Sequence, residues 1–303
     1  MDHTVLLGNG LNRCKNATKS WNELLGDLSK DYKVEVNEEL QKNLYTFFYE
    51  RIILSSGQKD SLDGKEEKIK MDIAKEMKKV EPSDLYDFLI QLKVSHYITT
   101  NYDYCIEKML EKKTYRKRSA ENSEKIYSIR RGVGYEKSEG KLKFVWHVHG
   151  EVDYPKSIML GLDHYCGSIS KMDAYMKGRY SFIKNGKEIK IASIISKLKG
   201  KSEYDHLSWL ELFFTSNIHI LGFGLDYSET DFWWILNWRA RIQKSLKLTL
   251  LNQIYYYGEI DKTKADLLAA FDVKYVEIKL EDGDYYQQNL EILSCIKDRI
   301  NYI

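Results

Sequence analysis

Four short apolar runs in this chain each stop at a glycine or a small polar cluster, and that repetition constrains the fold more than any other feature. Thr4–Leu7 runs into Gly8-Asn9-Gly10, and His96–Thr99 into Thr100-Asn101-Tyr102-Asp103. Lys143–Val148 ends in His149-Gly150, and Asn217–Leu221 in Gly222-Phe223-Gly224. Compact apolar runs bounded by turn signals read as buried strands. Helical spacing follows three of them, over Trp21–Leu28, after Asp103 to Leu110, and from Thr230 to Lys244. Strands alternating with helices predict an α/β fold, a Rossmann-like parallel sheet with helices on both faces. Ligands bind beyond the carboxyl ends of the strands in such sheets, so the four motifs are expected to meet at one site.

The rest of the chain reads as cover. Periodicity is mainly helical from about 31 to 93, where Leu40, Leu44, Phe47 and Phe48 recur and Pro82 starts a helix, and again from about 163 to 214. Both stretches are expected as helical insertions in a single domain spanning 1–303. Lys125–Ile129, Ser157–Leu160, Lys247–Leu251 and Val273–Ile278 read as further strands, and Tyr285–Ile300 as a closing helix.

Composition narrows the function classes. The 47 basic and 45 acidic residues leave a formal charge of +2, which gives no global pull toward nucleic acid. No apolar stretch approaches the 18 or so residues that span a membrane, and the first residues lack the basic region of a signal peptide, so a cytoplasmic protein is expected. Cys14, Cys105, Cys166 and Cys295 are scattered without a CxxC pair, which predicts free thiols and no cysteine-held zinc.

Each motif admits a chemical role beside a plain one. Glycines between a strand and a helix let backbone N–H groups approach a phosphate, although Arg13 breaks the full GxGxxG pattern and a simple tight turn reads equally well. Asn101 could hold a ribose hydroxyl or an attacking water, and Asp103 could accept from a carboxamide; the same residues also make turns and helix N-caps. His147 and His149 close the same run two residues apart; one of them is expected to face a ligand, as a base titrating near neutrality, and His147 is expected to be structural. Gly222-Phe223-Gly224 could line phosphates or the nicotinamide ribose. The tryptophans that follow, Trp233, Trp234 and Trp238, read as core. Asn252, just past the expected strand Lys247–Leu251, sits where an adenosine ribose could be held.

Taken in order, LLGNGLNR, ITTNYD, VWHVHG and ILGFGLDYSETDF resemble the sirtuin-like family, in particular its divergent bacterial branch found in antiphage defence systems. The resemblance runs from Val5 to about Asn252. It implies a nucleotide-cradling loop at Gly8, Asn9 and Gly10, and a nicotinamide and ribose site at Thr100, Asn101 and Asp103. It further implies a catalytic base at His149 and a later phosphate loop at Gly222, Phe223 and Gly224. Two departures matter: no four-cysteine zinc ribbon can be built, and the first loop carries Asn9 and Asn12 where small residues are usual, without an evident cofactor-loop arginine. Both count against acyl-lysine chemistry. The resemblance therefore implies NAD+ as substrate, without a metal, cleaved to nicotinamide and ADP-ribose with Asn101 and His149 as catalytic residues. It implies a defence effector controlled by homo-oligomerisation or by a partner protein such as a translocase or sensor subunit. An NAD- or ADP-ribose-binding sensor, an interaction subunit without turnover, and an ADP-ribosyl or acyl transferase are the alternatives.

Overall fold

An apolar run such as Val5-Leu6-Leu7 points alternate side chains to opposite faces, so both faces of its sheet must be covered. The computed structural model, which describes residues 1–15, 19–35, 44–55, 61–118, 124 and 126–301, shows how. Its strands are β1 (Asp2–Leu7), β2 (His96–Thr99), β3 (Arg116–Lys117), β4 (Gly132–Glu136), β5 (Leu142–His147), β6 (Ser181–Lys184), β7 (Lys187–Lys190), β8 (Ser216–Leu221), β9 (Ile254–Gly258) and β10 (Val273–Glu277). Eight form one sheet in the order β10-β9-β8-β1-β2-β5-β4-β3. The six from β10 to β5 are parallel, while β4 and β3 add an antiparallel edge; β6 and β7 make a separate hairpin. The α/β expectation is met, with a mixed rather than wholly parallel sheet.

The helices are α1 (Trp21–Asp31), α2 (Tyr45–Ser55), α3 (Leu62–Met77), α4 (Leu85–Gln91), α5 (Cys105–Lys112), α6 (Leu162–Met176), α7 (Ile194–Leu198), α8 (Leu212–Thr215), α9 (Thr230–Leu246), α10 (Lys262–Ala270) and α11 (Tyr285–Asn301). Local chemistry sets their starts. At α1, Ser20 and Glu23 form a reciprocal capping box, Ser20 Oγ accepting from the Glu23 amide and Glu23 Oε2 from the Ser20 amide. On one sheet face Val5, Leu7, Tyr97 and Val145 pack with Leu85 and Leu89 of α4, Ile106 and Met109 of α5 and Ile292 of α11. On the other, Leu6, Ile98, Trp146 and Ile220 pack with Met172 of α6 and Phe232 and Ile235 of α9, with Trp233, Trp234 and Trp238 partly buried against them. A third apolar cluster joins α1, α2 and α3 through Leu25, Phe48, Ile52, Ile69 and Ile73 to Tyr102, Ile158 and Leu160.

Several local readings change. Residues 126–129 and 158–160 form no strand, and Leu40 and Lys125 lie outside the described residues. The stretch 163–214 carries the β6–β7 hairpin as well as helices. Lys247–Leu251 is a connection rather than a strand: Lys247 ends α9 in a left-handed conformation (φ 50°), and Leu251 is 80% exposed. The strand begins only at Ile254.

The two glycine loops abut backbone to backbone. Gly10 N–H donates to Gly222 O at 2.7 Å and Gly8 N–H to Leu221 O at 3.3 Å. A Cβ on Gly10 would lie 2.5 Å from Gly222 Cα, and Gly222 itself has φ +57°. Nothing lies within 4 Å of a Cβ on Gly224. Gly10→Ala is therefore expected to cost about 1–3 kcal/mol or more by overpacking, and Gly224→Ala to stay within about 0.5 kcal/mol of the parent. Chemical denaturation of the two variants checks this; equal stabilities would show that the loops do not constrain each other.

Candidate functional site

The carboxyl ends of β1, β2, β8 and β9 open onto one cleft of about 620 Å³. Asn9, Gly10, Thr100, Asn101, Asp103, Gly222, Phe223 and Gly224 all line it. Gly8 lies beneath, where an added Cβ would meet Gly222 O and Phe223. The opposite wall comes from Asn22 and Leu24 of α1, Tyr45 of α2 and Met77 of α3.

Asn101 is 8% exposed and held at three points. Its N–H donates to Thr99 Oγ1 at 3.0 Å, its Nδ2 to Gly8 O at 3.2 Å, and its carbonyl lies 3.1 Å from His147 Nδ1. Asp103, two residues before α5, accepts from the Cys105 amide at 2.9 Å through Oδ1, while Oδ2 accepts from Asn12 Nδ2 at 2.9 Å. Asn12 Oδ1 in turn accepts from Tyr86 OH at 2.7 Å. The side chain that departs from the small residues of sirtuin-like loops thus ties the first loop to the second.

Two buried histidines flank this wall. His147 Nε2 meets Glu107 Oε1 at 2.6 Å. Burial alone would push its pKa down, but Glu107, helped by Glu151 and the Asn101 carbonyl, raises it to about 9. His147 is therefore a buried cation whose ring steadies the Asn101 backbone. His149 is 2% exposed and lies behind the cleft wall. Its Nε2 meets Asp231 Oδ2 at 2.9 Å, and its Nδ1 faces Glu229 Oε2 at 3.7 Å. Burial again opposes the charge, and Asp231 and Glu229 outweigh it and raise the pKa. Gly150 is required in this turn: its φ is +100°, and a Cβ there would lie 2.3 Å from Ser157 O.

His149, Glu229 and Asp231 offer donor atoms within 4.8 Å of one another. His149 and Asp231 lie 2.9 Å apart, at hydrogen-bond distance, and with Glu229 they form an acid–base cluster.

Asn252 is away from the cleft. It precedes β9, at the amino-terminal edge of the sheet, because the strand expected before it is a connection. Its side chain is fully buried, Nδ2 donating to Phe213 O at 3.0 Å and Ser216 O at 2.8 Å. Conversely, Arg13, Glu229, Lys264, Tyr285 and Asn289 line the cleft without having been singled out as ligand groups. Arg13, the residue that breaks the glycine fingerprint, lies 4.3 Å over the Tyr285 ring and donates to its hydroxyl at 2.8 Å. Its place within the first loop was the available signal. Tyr285 sits too far along the chain to have been paired with it.

The buried His147–Glu107 pair yields a stability prediction. Removing one partner of such a pair costs about 3–5 kcal/mol, so His147→Gln is expected to lose that much. The sign with pH follows from the raised pKa: the contribution is complete below 6.5, the ordinary value, and is lost as pH rises toward about 9. Lys143, pushed down to about 8 by burial, opposes this only above that pH. Between pH 6.5 and 8 the variant should lack roughly 1.4 kcal/mol per pH unit of the parent's decline, the slope for one proton. Urea unfolding across that range reads it, and parallel pH profiles would rule out a charged His147.

A family model described as the SIR2-like domain matches residues 95–191, which contain β2, Asn101, Asp103, β5 and both histidines. The NAD(+) hydrolase ThsA of Bacillus cereus (strain MSX-D12) is 28% identical over 162 residues. That stretch is 52% of this chain and 30% of that relative, so the likeness spans less than a third of the relative's length. Together with the helix-flanked, mostly parallel sheet, these matches bear out the sirtuin-like resemblance read from the four motifs.

Proposed function

We propose that this chain is an NAD+ glycohydrolase, cleaving NAD+ to nicotinamide and ADP-ribose. The observation that carries the reading is the meeting of Asn101 and Asp103 with both glycine loops around one cleft, beside the acid–base cluster of His149. The similarity to an NAD(+) hydrolase supports it.

The chemistry matches the residues. Breaking the bond between ribose and nicotinamide develops positive charge on the ribose, as in other glycoside hydrolysis. Nicotinamide leaves from a cationic ring as a neutral molecule, so no general acid is required. Asn101 Nδ2 is engaged by Gly8 O, which turns the Oδ1 acceptor to the task of holding a water or ribose hydroxyl. Asp103 keeps lone pairs beyond its two hydrogen bonds to accept from the carboxamide. Arg13 and Lys264 supply positive charge at the cleft for the pyrophosphate. The reaction's proton goes to the cluster built on His149. Its placement behind the wall, among carboxylates, keeps that cluster basic.

Through the resemblance to defence-type sirtuin-like proteins, the reading extends to an NAD+-depleting effector held in check by oligomerisation or a partner protein. Nicotinamide release from NAD+ tests the core of it. Asn101→Ala removes the group that holds the water and His149→Ala dismantles the cluster that takes the proton, so each is expected to lose at least about 10²-fold. Parent-level turnover in both variants would sink the site assignment. Folded parent protein that binds NAD+ without releasing nicotinamide, alone or in its native assembly, would replace hydrolysis by sensing.

A further inference from the structure

The proposed hydrolysis needs a proton acceptor at the cleft surface, and His149 does not reach it. Both of its ring nitrogens face carboxylates, and its side chain is 2% exposed. Glu229 does reach it. Standing at the N-cap of α9, it lines the same cleft as Asn101, with its side chain 9% exposed. Its Oε2 accepts from Tyr165 OH at 2.9 Å and faces His149 Nδ1 at 3.7 Å.

Resting on the hydrolase reading, we infer that the Glu229 carboxylate is the catalytic base that meets the reacting water, and that His149 and Asp231 are positioning residues behind it. In the step, the bond between the ribose anomeric carbon and the pyridinium nitrogen breaks, its electron pair going to that nitrogen and releasing neutral nicotinamide. The water oxygen bonds to the anomeric carbon, and one water proton passes to Glu229. That proton leaves to solvent through the cleft with ADP-ribose, so the positive charge of the nicotinamide ring departs as the proton.

Every packed element contributes to the charge state of this carboxylate. His149 from the loop after β5 favours its ionised form, as does the Tyr165 hydroxyl from α6. Asp231 on α9 and Asp226 in the loop after β8 oppose ionisation. Tyr102 after β2 and Tyr45 on α2 lie near enough to feel its charge. Burial is the largest influence and raises the pKa to about 7. A base poised there is half ionised near neutrality and suits proton transfer at that pH.

The experiment is kcat/KM for NAD+ hydrolysis against pH for the parent, Glu229→Gln and Tyr165→Phe, with calorimetric NAD+ binding and thermal melting of each. The parent is expected to lose activity on the acid side with a midpoint at about 7. Glu229→Gln should bind NAD+ and melt like the parent, yet turn over at least about 10²-fold more slowly, without that acid limb. Tyr165→Phe should keep the limb and move it to higher pH, because the carboxylate loses a donor. A Glu229→Gln protein hydrolysing at the parent's rate overturns this inference and leaves the hydrolase reading standing. If that variant does not fold, an unmoved limb in Tyr165→Phe overturns it instead. Parent protein that binds NAD+ and releases no nicotinamide overturns the hydrolase reading, and this inference with it.

Discussion

The contact on which the cleft depends is between two stretches of bare backbone. Gly10 N–H meets Gly222 O because neither position carries a Cβ, and this draws the loop after β1 against the loop after β8. Those strands are neighbours in the sheet, with β1 also beside β2. Chain order changes direction around β1, which is where an α/β sheet leaves a crevice at its carboxyl edge. Asn12 extends the tie sideways by holding Asp103, so three loops from three strands share one hydrogen-bonded wall.

Behind that wall lies an unusual density of buried charge. His147 is matched by Glu107, His149 by Asp231, and Arg131 by Glu151, which also accepts from Tyr104. Buried ion pairs give little net stability against apolar packing, since desolvation offsets most of the attraction. Their evident effect here is directional. The His147 ring meets a main-chain carbonyl of Asn101, and the His149 ring stands edge-on to Tyr165 with 5.4 Å between centroids. The first imidazole thereby aligns the loop that carries Asn101 at the cleft, and the second packs against α6 behind it.

What could be read from the sequence divides along a physical line. Apolar runs ending in glycine or Asn announced β1, β2, β5 and β8 because strand burial is a local, period-two signal. The same signal misled at Lys247–Leu251, where Leu248 and Leu250 alternate in a connection and carried Asn252 to the wrong edge of the sheet. β4 went unseen because its Gly132-Val133-Gly134 carries few apolar residues; Gly132 is small where the Trp146 ring crosses it. Glu229 was passed over because a glutamate before a helix looks like an ordinary solvated charge. Only the packing of Tyr165 and His149, 64 and 80 residues upstream, removes it from water.

The two sides of the cleft are made of different materials. One is sheet edge and glycine loop, fastened by main-chain hydrogen bonds that cannot lengthen without disturbing β1 and β8. The other is the faces of α1, α2 and α3, joined to the rest through a separate apolar cluster. The sheet-edge side of the cleft is thus held in register by main-chain hydrogen bonds, whereas the helical side rests chiefly on side-chain packing.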